Sequence, residues 1–441
     1  MSYIIFFATD YTYFCPINFI FNMNLRNKRE IEVMAPVGSF ESLEAAFQGG
    51  ADAVYFGIEQ LNMRARSSIN FTIEDLQEIV TRCQKHQVKT YLTLNTILYD
   101  HDLRLMKTII DAAKKYKVNA IIAMDHAAIM YAKEIGQTIH ISTQVNITNI
   151  ETVRFYAPFA DTMVLSRELT LQQIQKICTQ IKEQNVKGPN GQLVKVECFV
   201  HGALCMAVSG KCYLSLHSMN SSANRGACKQ NCRREYTVAD HEGNQFLIDN
   251  EYIMSPKDLC TIGFLDKILD AGVSVLKIEG RSKGPDYVKE VTACYKEAVE
   301  MWKSDKTPSL ESISMWEKRM SRVYNRGFWG GYYLGKKLGE WTATPGSISK
   351  TEKIYLGKGK NYFGKIGIAE FQLEKGKLEL GDKIMITGPS IGLYEGEVEE
   401  LRKELEPVSE VSKGDLFSMP VGVKVRPSDK LFKVVERSTN D

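Results

Sequence analysis

The sequence predicts an α/β fold, a (β/α)8 TIM-like barrel with a cysteine-bearing insertion, followed by a small C-terminal all-β barrel. Three observations predict it. Eight short β-branched runs alternate with longer amphipathic runs between residues 31 and 304, and such alternation implies a parallel sheet. Eight units in about 270 residues suit a closed barrel better than an open doubly wound sheet. Six of the eight strand-like runs end in polar residues, at the face where barrel enzymes build their sites.

The strand-like runs are 31–36, 53–56, 90–95, 120–125, 139–144, 162–168, 194–201 and 274–279. Helical patterns lie between them at 39–48, 73–85, 101–116, 171–183 and 256–271, with cap-like Thr72 and Thr170 opening two of them. The strand ends deliver Asn95, Asp125, Gln144, Arg167, Glu168, His201, Glu279 and Arg281. Asn95 and Asp125 also suit plain helix caps. The loop after the second strand adds Arg64 and Arg66, which read as an anion site or as solvated charge.

Between the seventh and eighth strands the rhythm breaks. Residues 202–273 form an insertion where a simple unit needs about 30 residues. Met301 begins a helical stretch that ends in an aromatic, glycine-rich turn at Phe328–Tyr333, and 305–350 reads as helical connector and linker. Short alternating runs with turn signals fill 351–441 as the C-terminal β-barrel. Residues 1–30 are an N-terminal extension. Its first 22 residues hold eight aromatics, one acid and no Lys or Arg, so the native start is read as Met23. No run is long enough to span a bilayer and no export signal is evident, so a cytoplasmic protein is expected.

Of 441 residues, 44% are hydrophobic and 25% charged, which excludes a disordered chain. The net charge of +3 is uninformative about nucleic acid; a local patch has to carry that argument. Cysteine is the unusual component. Five of the ten fall in the insertion, spaced Cys205-x6-Cys212-x15-Cys228-x3-Cys232-x27-Cys260. In a reducing compartment such a cluster reads as metal ligands. Only Cys228-x3-Cys232 has the form of a zinc knuckle, so an iron–sulfur cluster is preferred, with zinc left open. Cys83, Cys178, Cys198 and Cys294 read as small core residues. The same stretch carries Lys211, Arg225, Lys229, Arg233 and Arg234 with no acid between Cys205 and Arg234, a patch suited to a phosphate backbone. Tyr213 and Tyr236 suit base stacking.

Glu197-Cys198-Phe199-Val200-His201-Gly202-Ala203-Leu204-Cys205, followed by Gly210-Lys211-Cys212-Tyr213-Leu214-Ser215, resembles the signature of the collagenase-like U32 peptidase family. Ala35-Pro36-Val37-Gly38, Asn62-Met63-Arg64-Ala65, Leu165-Ser166-Arg167-Glu168, Cys228-x3-Cys232-Arg233 and Lys277-Ile278-Glu279-Gly280-Arg281 complete the match. The resemblance implies an oxygen-independent hydroxylase with a [4Fe–4S] cluster, best matched to the tRNA-modifying branch. That branch forms 5-hydroxyuridine at the wobble position with prephenate as co-substrate. The partner implied is tRNA; the electron donor is open. A 23S rRNA cytidine hydroxylase and a U32-type peptidase are the alternatives. The resemblance implies Cys205, Cys212 and Cys228 as cluster ligands, with Cys260 as the fourth and Cys232 as its alternative. His201, Glu168 and Glu279 are the acid–base candidates. Arg64, Arg167 and Arg281, with Asn95 and Gln144, are the candidates for binding a carboxylate co-substrate, since guanidinium pairs bidentately with carboxylate. No His-Glu-x-x-His motif supports a metalloprotease.

Overall fold

A computed structural model describes residues 29–66, 70–237, 239, 241–243, 252–336 and 338–437. The N-terminal 22 residues, and Cys15 with them, lie outside the described residues. Eight parallel strands form the barrel: β1 (Glu32–Pro36), β2 (Ala53–Phe56), β3 (Lys89–Leu94), β4 (Ala120–Ala123), β5 (Ile139–Ile141), β6 (Thr162–Val164), β7 (Lys195–Gly202) and β8 (Val275–Ile278). Each pairs with its neighbour, and β8 pairs with both β7 and β1, which closes the barrel.

The helices form because one apolar stripe of each meets the sheet. Leu171–Glu183 buries Ile174, Ile177, Cys178 and Ile181 at i, i+3, i+4, i+7 spacing. Its N-cap Thr170 and Gln173 form a reciprocal capping box, which satisfies amide donors that a helix end leaves orphaned. Asp125 proves to be the N-cap of His126–Glu134, accepting from the Ala127 amide, so the helix-cap reading of that residue holds.

Two apolar regions result. Alternate strand residues such as Val33, Ala35 and Val54 pack outward under the helices. Met34, Ala53, Tyr55, Tyr91, Ala120, Ile122 and Val275 fill the lumen. The lumen also holds polar groups. Tyr91 donates to Glu32 at 2.7 Å, and Lys277 donates to the fully buried Glu197 at 2.7 Å.

Two expectations need correction. The run 256–271 is not one helix. Asp258–Cys260 is a strand that pairs antiparallel with the end of β7 and parallel with Phe328–Trp329, and the helix is only Leu265–Asp270. Open backbone donors at the extended end of β7 capture a segment whose apolar spacing alone suits either state. The C-terminal region begins with a long strand, Thr351–Phe363, which the sequence reading missed. That strand joins an eight-stranded antiparallel sheet around Phe371, Phe417, Ile386 and Leu431. The sheet docks on the barrel through Gln48, whose amide bonds the backbone of Ile391 and Leu393, and through a Lys353–Asp286 pair at 2.7 Å.

Candidate active site

The C-terminal ends of the barrel strands open into a cavity of about 470 Å³. The insertion roofs it, and close backbone packing shows how. A Cβ on Gly226 would stand 2.2 Å from the Asn62 carbonyl, and one on Gly210 would stand 2.5 Å from Gln144 Oε1. Both glycines have φ near +75 to +79°, a conformation glycine adopts freely. Arg225 ties the roof to the barrel: it pairs with Asp102, donates to the Ile97 carbonyl at 3.1 Å and lies over the Tyr99 ring. One of the five expected RNA-facing cations is therefore a structural clamp. Arg233 is another, donating to Ser255, the Pro256 carbonyl and the Leu204 carbonyl. Lys211, Lys229 and Arg234 remain exposed.

Arg64, Asn95, Gln144, Arg167, Glu168, Glu279 and Arg281 all line the cavity. Glu279 is the hub. Its Oε1 accepts from Arg64 at 2.6 Å and its Oε2 from the Tyr55 hydroxyl at 3.3 Å. Burial pushes its carboxyl up, but Arg64, Arg167 and Arg281 overcome that and hold it at about 2. It is thus a fixed anion and a poor acid. Arg281 is 5% exposed, donates to Thr93 and Asn62 at 3.0 Å each, and is pulled down to about 10 by burial. Arg167 donates to the Ala203 carbonyl and stacks over Phe199 at 3.7 Å. Glu168 stands exposed at the rim.

The sequence reading missed Lys283 and Arg326, and it named Arg233 and Lys277 without placing them at the cavity. The four bring the basic residues lining it to seven, against two acids, Glu168 and Glu279. Burial pushes Lys283 down to about 7, and its ammonium lies 3.0 Å from the Tyr324 ring centroid. Its position two residues beyond Arg281 was the available signal.

Two expected site residues stand elsewhere. Continued alternation would turn His201 inward with Glu197 and Phe199. A register shift between Phe199 and His201 instead turns the imidazole outward, as a bulge does. It packs against Tyr287, Tyr295 and Phe328, is 1% exposed, and is pushed down to about 3 by burial. Neutral and walled off, it is no acid–base group for the cavity. His201→Gln is expected to reduce acid sensitivity. The buried neutral imidazole stabilises the fold fully above pH about 6.5, and that contribution fades as pH falls toward 3. Thermal unfolding across that window should show a shallower decline in the variant; parallel curves would refute the assignment. Cys260 is the second correction. It pairs with His201 across the short strand and is buried, its thiol pushed up to about 12. It does not line the cavity, because strand pairing fixes it behind the wall.

The nine described cysteines divide cleanly. Cys83, Cys178, Cys198, Cys260 and Cys294 are buried, whereas Cys205, Cys212, Cys228 and Cys232 are accessible and line the cavity. Burial and the neighbouring Cys205, Cys228 and Cys212 thiols raise the Cys232 thiol, with Arg233 offsetting part of that. In this geometry no three His, Cys, Asp or Glu side chains among the described residues are close enough to share one metal ion. The donor set itself, four unpaired thiols on one wall, has the chemistry of an iron–sulfur site.

Fold and site define a (β/α)8-barrel protein with a cationic, thiol-walled cavity at the barrel mouth. The chain belongs to peptidase family U32, whose family model matches residues 38–343. It is 56% identical over 412 residues to a collagenase of Porphyromonas gingivalis, covering 93% of this chain and 99% of that one. It is 28% identical to tRNA hydroxylation protein P1 of Bacillus subtilis, covering 85% and 87%. It is 34% identical to the 23S rRNA 5-hydroxycytidine C2501 synthase of Escherichia coli over 62% of this chain and 40% of that one. No helix among the described residues is long and apolar enough to cross a membrane.

Proposed function

We propose that this protein is an oxygen-independent tRNA hydroxylase, forming 5-hydroxyuridine at the wobble position with prephenate as co-substrate. A [4Fe–4S] cluster would be held by Cys205, Cys212, Cys228 and Cys232. The observation that carries the reading is the pairing of four accessible thiols with seven cationic side chains, against two acids, around one cavity. When bound, the cluster supplies redox-active iron. The chain's own residues do the rest. Arg64, Arg167 and Arg281 present guanidinium donors to a carboxylate, and Glu279 fixes Arg64 in place. Glu168 and Lys283 are the groups able to move a proton at the cavity.

The collagenase name of a 56% identical relative favours a second reading, a protease. A cysteine nucleophile needs a base within hydrogen-bond reach, usually histidine, and no histidine is among the residues lining the cavity. Gly388-Pro389-Ser390-Ile391-Gly392 has the spacing of a nucleophile elbow, but it links two antiparallel strands of the C-terminal sheet where an elbow requires a strand-to-helix turn.

Expression in a strain lacking 5-hydroxyuridine is the test, with nucleosides of tRNA and 23S rRNA analysed separately and gelatin hydrolysis measured alongside. Restored 5-hydroxyuridine is expected. Hydroxycytidine in rRNA alone would move the reading to the ribosome, and gelatin cleavage without either nucleoside would replace it with proteolysis.

A further inference from the structure

Lys277 lies on β8 between Leu276 and Ile278, which pack outward under the helices. Its own side chain points up the lumen, is 4% exposed and lines the floor of the cavity. The ammonium donates to Glu197 Oε1 at 2.7 Å, and among the described residues Glu197 is its one hydrogen-bond partner. Tyr55 and Phe199 flank it at 4.6 and 5.4 Å from their ring centroids. Glu197 is 0% exposed, and its other oxygen faces His140 Nδ1 at 3.6 Å.

Stability does not account for this arrangement. Barrel lumens are ordinarily filled by Val, Ile and Leu, and replacing a buried ion pair by apolar residues is often neutral or stabilising. An ammonium has three N–H donors. One is used by Glu197, and the rings beside it accept no conventional hydrogen bond. The cavity is where the other donors can find an acceptor.

We propose that Lys277 is a ligand-contacting residue of this site, donating to an oxygen of a bound small organic anion whose carboxylate lies on the arginines. Glu197, whose second oxygen faces His140, is the residue that positions it. This rests on the reading that the cavity takes a carboxylate co-substrate.

The test is calorimetric titration of the full-length, iron-loaded protein, purified without oxygen, with prephenate and separately with malonate. Lys277→Gln combined with Glu197→Gln removes both charges together and leaves no unpaired ion. It is expected to weaken binding at least ~10-fold, the order set by one hydrogen bond to a charged group, with iron content unchanged. Lys277→Arg keeps the charge, displaces the donor and is expected to weaken binding at least about threefold, which keeps the test alive if the double variant fails to fold. Glu197→Gln alone should also weaken binding, and Glu197→Asp should recover part of it. Unchanged affinity in a folded, iron-loaded Lys277 variant overturns the proposal. Malonate binding lost in the variants, with no prephenate binding in the parent, would sustain Lys277 and refute prephenate. A parent that binds neither anion refutes both.

Discussion

With the proposed [4Fe–4S] cluster in the cavity, Cys232→Ala is expected to take bound iron from about four per chain toward zero and to abolish the proposed hydroxylation, while Cys260→Ala leaves both intact. The two cysteines compete in sequence, and their surroundings separate them. Thiolate is the ligating form. Cys232 lines the cavity with Cys205, Cys212 and Cys228; burial and those thiols raise its own thiol, and the adjacent Arg233 offsets part of that. Cys260 is buried beside His201 and Tyr295, where burial pushes the thiol up to about 12. A metal reaching Cys260 would have to break the pairing of Asp258–Cys260 with β7. Iron and sulfide counts on both variants check the contrast. Full iron in Cys232→Ala with loss in Cys260→Ala would reverse it. Cys260→Ala should register only as a packing change, since free buried cysteine behaves as a small hydrophobe.

The barrel was legible because its signal is periodic and repeated. Strand ends at Asn95, Gln144, Arg167, Glu168, Glu279 and Arg281 converge on one cavity because parallel strands share a direction. His201 and Cys260 were misplaced for one shared reason. The register shift after Phe199 breaks the alternation that sequence reasoning extends, and the strand Asp258–Cys260 is held by distant partners, the end of β7 and Phe328–Trp329. Neither event leaves a local signature. The lumen pair Lys277–Glu197 was hidden differently, since two charges 80 positions apart reveal their pairing only when β7 and β8 close the barrel. The basic insertion was read as an RNA surface, yet Arg225 is clamped by Asp102, an acid far outside that stretch.

Glu279→Gln is expected to destabilise the barrel mouth strongly. The carboxylate is the counter-charge for Arg64, with Arg167 and Arg281 close enough to hold its proton affinity down. An amide keeps the shape and one acceptor but leaves three guanidinium groups facing one another in a poorly solvated cavity. Breaking a fully buried pair typically costs about 3–5 kcal/mol, because the surviving charge is uncompensated; Arg64 and Glu279 keep side-chain exposures of 27% and 14%, which puts the expected loss at the low end of that range. The pH dependence supplies an independent check. A carboxyl near 2 when folded and near 4.5 when unfolded contributes stability that is complete above pH about 4.5 and lost as pH falls through 2. The full amount is about 3 kcal/mol. The parent should therefore outlast the variant by a wide margin in denaturant at pH 7, and the gap should narrow steadily below pH 4.5. A gap that is the same at pH 7 and pH 3 would mean that Glu279 contributes shape alone. In that case the arginines would owe their positions to Thr93, Asn62 and the Ala203 carbonyl, and the cavity would be a basic funnel without an internal anion to order it.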